Sequence, residues 1–225
     1  MRSEQYQQLL NKIGSRTTLV AVSKHHPVES MMHLYHLGHR DFGENYVQEL
    51  IEKQLLMPAD VRWHFIGHLQ SNKIKYIAPF VYLVQSVDSF KLLLEINRQA
   101  KKIDKVIDCL LQVHIAQEET KFGLYEEEID ELIVGFKKAV EVSEVSNVRI
   151  TGLMGMGSLS NSEETVRTEF KYLAMLYDKY SAQNGPHIQF EHLSMGMSAD
   201  YELAISEGSN MVRVGSLLFG HRPKI

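Results

Sequence analysis

In VAVSKHHP (residues 20–27) a short β-branched run leads into a lysine, followed by two histidines and a proline. Strand alternation places Val20, Val22 and Lys24 on one face. On the inward face of a buried parallel strand, desolvation disfavours the ammonium and favours the neutral amine. That amine is the nucleophile that Schiff-base chemistry with an aldehyde requires. Strand position taken alone favours a lysine that has already left the strand and is solvated in the loop.

Two later segments offer anion chemistry. LSMGMSAD (193–200) supplies the Ser194 and Ser198 hydroxyls and a glycine, Gly196, that permits close backbone approach. Ser198 is placed to cap a helix starting near Ala199, whose first N–H groups would face an anion. RVGSLLFG (213–220) repeats the theme with Gly215 and Ser216. Either segment alone reads as ordinary loop punctuation. Together they occupy the two places where a parallel barrel often builds a phosphate site.

Histidines suggest a metal less well. His33, His36 and His39 straddle Gly38 at a helix end, and His64 and His68 run from a strand into a loop. No Cys or carboxylate completes a tetrahedral set at familiar spacing, so no metal is expected. The acidic run EEEIDE (126–131) suits a helix start, where the dipole favours it.

These residues need elements to hold them. Apolar runs predict strands at 18–23, 40–42, 62–66, 82–86, 109–115, 148–154, 189–194 and 211–215. Amphipathic stretches predict helices after Pro27 to Leu37, then over 44–56, 72–77, 89–101, 126–140, 162–182 and 199–207, with a short one from Ser216. An extra helix over 3–13 precedes the first strand. Short β-branched strands in strict alternation with helices imply a parallel sheet buried on both faces. Eight units predict an α/β fold closed into a single (β/α)8 TIM barrel with an extra N-terminal helix, spanning 1–225 as one domain. An open doubly wound sheet is the alternative.

The composition excludes several classes. The 225 residues are 44% apolar, with a formal net charge of −4, so no global basic field draws the chain to nucleic acid or membrane. The one cysteine, Cys109, allows no internal disulfide and lies in an apolar run where burial is expected. No stretch approaches the ~20 apolar residues of a membrane span, and the N-terminus lacks a signal-peptide core. A cytoplasmic protein is expected.

VAVSK, GEN (43–45), HFIGHLQSNK (64–73), KFGL (121–124), GLM (152–154), LSMGMSAD and VRVG resemble the signatures of the pyridoxal 5′-phosphate (PLP) homeostasis protein family, the YggS or PROSC type. GHLQSNK and SMGMS-D are its specific parts, and the matches run in order over nearly the whole chain. The resemblance implies a barrel like the N-terminal domain of alanine racemase, with PLP held as a Schiff base on Lys24. It implies Ser194, Gly196, Ser198, Gly215 and Ser216 around the phosphate and Arg213 at the pyridine nitrogen. Asn45, His64 and Met154 would border the ring. Lys73 and Lys121 match family lysines without an assigned role. The sequence departs from the family at His25 and His26, at GMGSLS (155–160) and at His114, all near the mouth of the site.

The resemblance also implies a role in intracellular PLP supply without robust catalysis. An arginine at the pyridine nitrogen keeps it neutral and weakens the electron sink, which argues against transamination and decarboxylation. Barrel-type racemases take a second base, a tyrosine, from a further β-domain, and this chain ends at HRPKI just past the last strand. The expectation is a PLP carrier without catalytic residues, monomeric or weakly dimeric, with apo PLP-enzymes as possible recipients. The alternative is a weak PLP-dependent amino-acid racemase or lyase.

Overall fold

The structure is a computed structural model that describes residues 3–118, 120–160 and 162–220; the HRPKI terminus lies outside the described residues. Eight parallel strands close into a barrel in sequence order: β1 Thr18–Val22, β2 Asp41–Glu44, β3 Arg62–Phe65, β4 Val81–Val87, β5 Ile107–Val113, β6 Val148–Gly155, β7 Ile188–Ser194 and β8 Met211–Val214. Closure is made by β1 against β8, from Thr18↔Met211 to Ala21↔Val214. The (β/α)8 barrel expected from the alternation is therefore the fold, and the open sheet is excluded.

The helices follow the predicted stretches: α1 Ser3–Ile13, α2 Val28–His36, α3 Val47–Leu56, α4 Ile74–Ile77, α5 Phe90–Lys101, α6 Glu126–Glu141, α7 Glu163–Ser181, α8 Tyr201–Ser206 and α9 Ser216–Phe219. Local chemistry sets several ends. The Ser89 and Ser162 hydroxyls accept the Leu92 and Thr165 N–H groups and cap α5 and α7. At the acidic start of α6, Glu128 accepts the Tyr125 N–H at 2.8 Å. Two expectations shift. The stretch 44–46 belongs to β2 and its exit, so α3 starts three residues later than predicted. Ser198 does not cap α8, because α8 starts at Tyr201 and Asp200 is its N-cap.

Two packed regions result. Between sheet and helices lie Phe42, Phe65, Phe136, Phe170 and Tyr180, all fully buried. Inside the barrel, Val20, Leu83, Leu110, Met154 and Met211 form a smaller apolar cluster. Cys109 is buried, as its apolar run required. No described helix is long and apolar enough to cross a membrane.

At the amino end of the barrel, α1 buries Tyr6, Leu9 and Ile13. The Tyr6 hydroxyl bonds His39 Nδ1 at 3.0 Å, and His39 Nε2 donates to the Asp41 carbonyl at 2.8 Å. The Asp41 carboxylate accepts two bonds from Arg62, at 2.7 and 2.5 Å. Burial acts to raise its pKa, but bonds from Arg62 and His64 outweigh this and hold it well below the ordinary 3.8. A lowered folded value means that Asp41 stabilises the fold above pH 3.8, and that this contribution disappears as pH falls toward the folded value. We therefore expect Asp41→Asn to lower stability at neutral pH and to flatten the acid limb of stability against pH. Urea unfolding from pH 7 down to about 3 measures both.

Candidate functional site

The described residues form a cavity of about 590 Å³ at the carboxyl end of the strands. Lys24, His26, Asn45, Ser198, Arg213, Gly215 and Ser216 are among its lining residues, with Val22, Ile66, Met156 and Met197 as apolar wall. The rule behind this set is simple. Lys24, Asn45, Ile66, Met156 and Gly215 each lie one or two residues past the end of a strand. Arg213 lies within β8 and reaches the cavity through its long side chain.

Six of the ten expected site residues thus meet in one cavity: Lys24, Asn45, Ser198, Arg213, Gly215 and Ser216. Four do not line it. His64 is fully buried inside β3 and bonds Asp41 and Gln85. Met154 is fully buried in the inner apolar cluster, and Met156, two residues on, takes the wall position instead. Ser194 is fully buried and accepts from Arg213 Nη1 at 2.7 Å, so its hydroxyl serves the arginine rather than an anion. Gly196 has φ +95°, and a Cβ there would lie 2.5 Å from that of Ala204. Glycine there lets the chain turn beneath α8. The sequence reading placed His26 only near the mouth of the site and did not name Ile66, Met156 or Met197; the strand-end rule reaches Ile66 and Met156, whereas His26 and Met197 lie farther along their loops.

Lys24 sits in the turn after β1, half-buried. The residues on either side of it are pinned by a buried charge cluster. Lys53, on α3, donates to the Ser23 carbonyl, Glu44 and Glu49, each at 2.7 Å. The Ser23 hydroxyl donates to Glu44 at 2.6 Å, and the His25 N–H donates to Glu49 at 2.6 Å. His25 has φ 64°, the left-handed region that a histidine adopts only when its surroundings hold it there. Burial pushes the Glu44 carboxyl up, and Lys53 counteracts it. The chain around Lys24 is thereby fixed from outside the cavity.

Asn45 is placed by a backbone crossing. A Cβ at Gly67 would lie 2.1 Å from the Asn45 carbonyl oxygen, so only glycine lets the two chains meet there. Asn45 Oδ1 is a buried acceptor without a hydrogen-bond partner among the described residues. The Gly215 N–H donates to Ser198 Oγ at 3.2 Å, which joins the two Gly/Ser loops side by side.

Arg213 is 4% exposed, and no carboxylate among the described residues pairs with it. Its guanidinium donates to Ser194 Oγ at 2.7 Å and to the Gly155 carbonyl at 2.9 Å. Burial lowers its pKa to about 10, with Asp200 acting the other way. The cavity combines a primary amine, a buried cation with donors to spare, hydroxyls, bare loop N–H groups and an unmet acceptor. Such a set suits a small phosphorylated carbonyl compound that carries a ring acceptor. Among the described residues, no group of three His, Cys, Asp or Glu side chains is arranged to hold an ion.

Known proteins agree on the family. Residues 3–223 match the family described as alanine racemase, N-terminal domain. The chain is 42% identical over 222 residues to the pyridoxal phosphate homeostasis protein of Schizosaccharomyces pombe, covering 97% of this chain and 89% of that one. PipY of Synechococcus elongatus PCC7942, solved with PLP bound, superposes with a TM-score of 0.84 at 32% identity, covering 97% of this chain and 99% of that one. Alanine racemase of Clostridium difficile 630 shares the fold at 17% identity and a TM-score of 0.70, and the alignment spans 58% of that enzyme.

The charge cluster behind Lys24 makes its own prediction. Lys53→Met leaves Glu44 buried without a countercharge, and removal of one partner from a buried pair costs about 3–5 kcal/mol. Denaturant unfolding of Lys53→Met against the wild type measures that loss.

Proposed function

The chain belongs to the pyridoxal phosphate homeostasis protein family, built on the alanine racemase N-terminal domain, and from that premise we propose that it binds PLP and takes part in intracellular PLP homeostasis. The observation that carries the reading is the convergence of Lys24, Arg213 and the two Gly/Ser loops on one cavity. The residues present fit the group. Lys24 offers the amine that condenses with the PLP aldehyde, losing water to form a Schiff base. Ser198, Gly215 and Ser216 offer hydroxyls and N–H groups for the phosphate. Arg213 offers a donor for the pyridine nitrogen, and Asn45 Oδ1, a buried acceptor awaiting a partner, offers one for a hydroxyl donor. The whole barrel acts as the PLP-binding unit.

Bound PLP would supply an aldehyde for imine formation and a ring able to take up negative charge. Arg213 limits the second property. A guanidinium donor leaves the pyridine nitrogen unprotonated, whereas a carboxylate acceptor would keep it protonated. Among the described residues lining the cavity there is no carboxylate and no tyrosine. We read the protein as a holder of PLP rather than a turning-over enzyme. A cytoplasmic location, a monomeric or weakly dimeric state and release of PLP to apo-enzymes belong to the same reading. The alternative, a weak racemase or lyase, draws on His26, a buried imidazole on the cavity wall.

Addition of PLP to the purified protein should produce the visible absorption band of a Schiff base. Borohydride should then fix a PLP-sized mass increment on the peptide that contains Lys24. Both should vanish in Lys24→Ala; absence of the band in the wild type would overturn the proposal. Incubation of the loaded protein with L- and D-alanine in deuterated water should give no α-deuterium wash-in above free PLP. Wash-in lost in His26→Ala would favour the enzyme instead.

A further inference from the structure

A continuous line of polar side chains runs through the barrel interior, from the cavity to the opposite end. Arg213 Nη1 donates to Ser194 Oγ at 2.7 Å. Ser194 Oγ donates to Gln85 Oε1 at 2.7 Å. Gln85 Nε2 lies 3.0 Å from His64 Nδ1, and His64 Nε2 lies 3.1 Å from Asp41 Oδ1. Asp41, the first residue of β2, is held by Arg62 at the amino end of the barrel. Gln85, His64 and Ser194 are fully buried, and none of them lines the cavity.

With the Gln85 amide nitrogen toward His64, donors and acceptors match along the whole line. Gln85 Nε2 also donates to Met211 Sδ, 3.2 Å away, a weak acceptor on the same side. The amide nitrogen can only donate, so His64 Nδ1 accepts. The His64 proton is then on Nε2, aimed at the Asp41 carboxylate. At the other end, the Gln85 carbonyl accepts a hydrogen bond from the Ser194 hydroxyl, which turns the Ser194 lone pairs toward Arg213. Each member commits the next. A serine that lost its acceptor at Gln85 would be free to rotate, and its lone pairs would no longer be held toward Arg213.

We propose that Gln85 and His64 are positioning residues for Arg213: anchored on Asp41, they hold the Ser194 hydroxyl as an acceptor and so fix the guanidinium in the orientation it presents to the cavity. Polar residues that merely filled space would be poor choices here, because an apolar cluster of Val20, Leu83, Leu110, Met154 and Met211 also fills the barrel interior. The relay sets how the pyridine-nitrogen partner sits, and through it how tightly the ring is held. Its bearing on PLP rests on the function proposed above; its bearing on Arg213 does not.

The test uses the full chain with and without PLP. Side-chain guanidinium NMR signals of Arg213 are assigned by their loss in Arg213→Lys. In the wild-type apo-protein they should be resolved and slow to exchange with water. Gln85→Met and His64→Leu should broaden or shift them and weaken PLP binding about tenfold, the scale of one charge-assisted hydrogen bond. Leu83→Val, a packing change in the same layer, should lower Tm but leave the Arg213 signals and the PLP dissociation constant alone. Ser194→Ala, a smaller change, should reproduce the effect and serves if a larger substitution does not fold. Arg213 signals unchanged in His64→Leu and Gln85→Met, or moved equally by Leu83→Val, would overturn the proposal. Wild-type protein that binds no PLP while its Arg213 signals respond as described would support the relay and sink the functional reading.

Discussion

Arg213 is a guanidinium placed inside a closed barrel, with no carboxylate among the described residues paired to it, and much of the interior follows from that. A buried cation that lacks a countercharge is costly unless its donors are met. Here two are met by neutral oxygens, those of Ser194 and Gly155. Neutral acceptors satisfy the group without cancelling its charge. Ser194 donates its hydrogen bond to Gln85, which aims its lone pairs at Arg213, and Gln85 in turn contacts His64 and Met211. The negative charge that ends the line is Asp41, at the other end of the barrel and already paired with Arg62. The arginine is thus left positive where the cavity needs it.

The second buried charge, Lys53, follows the opposite logic. It meets two carboxylates and a carbonyl, so its charge is spent on structure. From outside the strands it holds the Ser23 carbonyl directly and the His25 N–H through Glu49, without lining the cavity. The two systems divide the work. One holds the proposed tether, and the other holds the group that tunes what is tethered. Neither adds a carboxylate to the described cavity lining.

The strand-end rule explains which site residues were legible in the sequence. Lys24, Asn45 and Gly215 stand out because a strand-forming run stops just before each. Ser198 and Ser216 stand out because Gly/Ser stretches follow the last two strands. His64, Met154 and Ser194 share those neighbourhoods, yet each falls within its strand and turns into the packed interior. An error of one or two residues in a strand end is enough to exchange a wall position for a core position, as with Met154 and Met156. Gly196 shows another limit: its partner, Ala204, is set by how α8 lies on β7 and β8.

The sequence by itself determined the eight-fold alternation, the identity of the lysine and the presence of two Gly/Ser loops, because these depend on periodicity and local backbone chemistry. Family signatures in order along the chain carried the expected cofactor. Tertiary structure alone decided which side chains meet. Ser194 and Gln85 are 109 residues apart and share a hydrogen bond, and Ser23 meets Lys53 from 30 residues away. Such pairings arise from barrel closure and register, which juxtapose residues with no local relation. The Asp41-to-Arg213 line therefore has no signature along the chain, although each of its members is an ordinary strand residue.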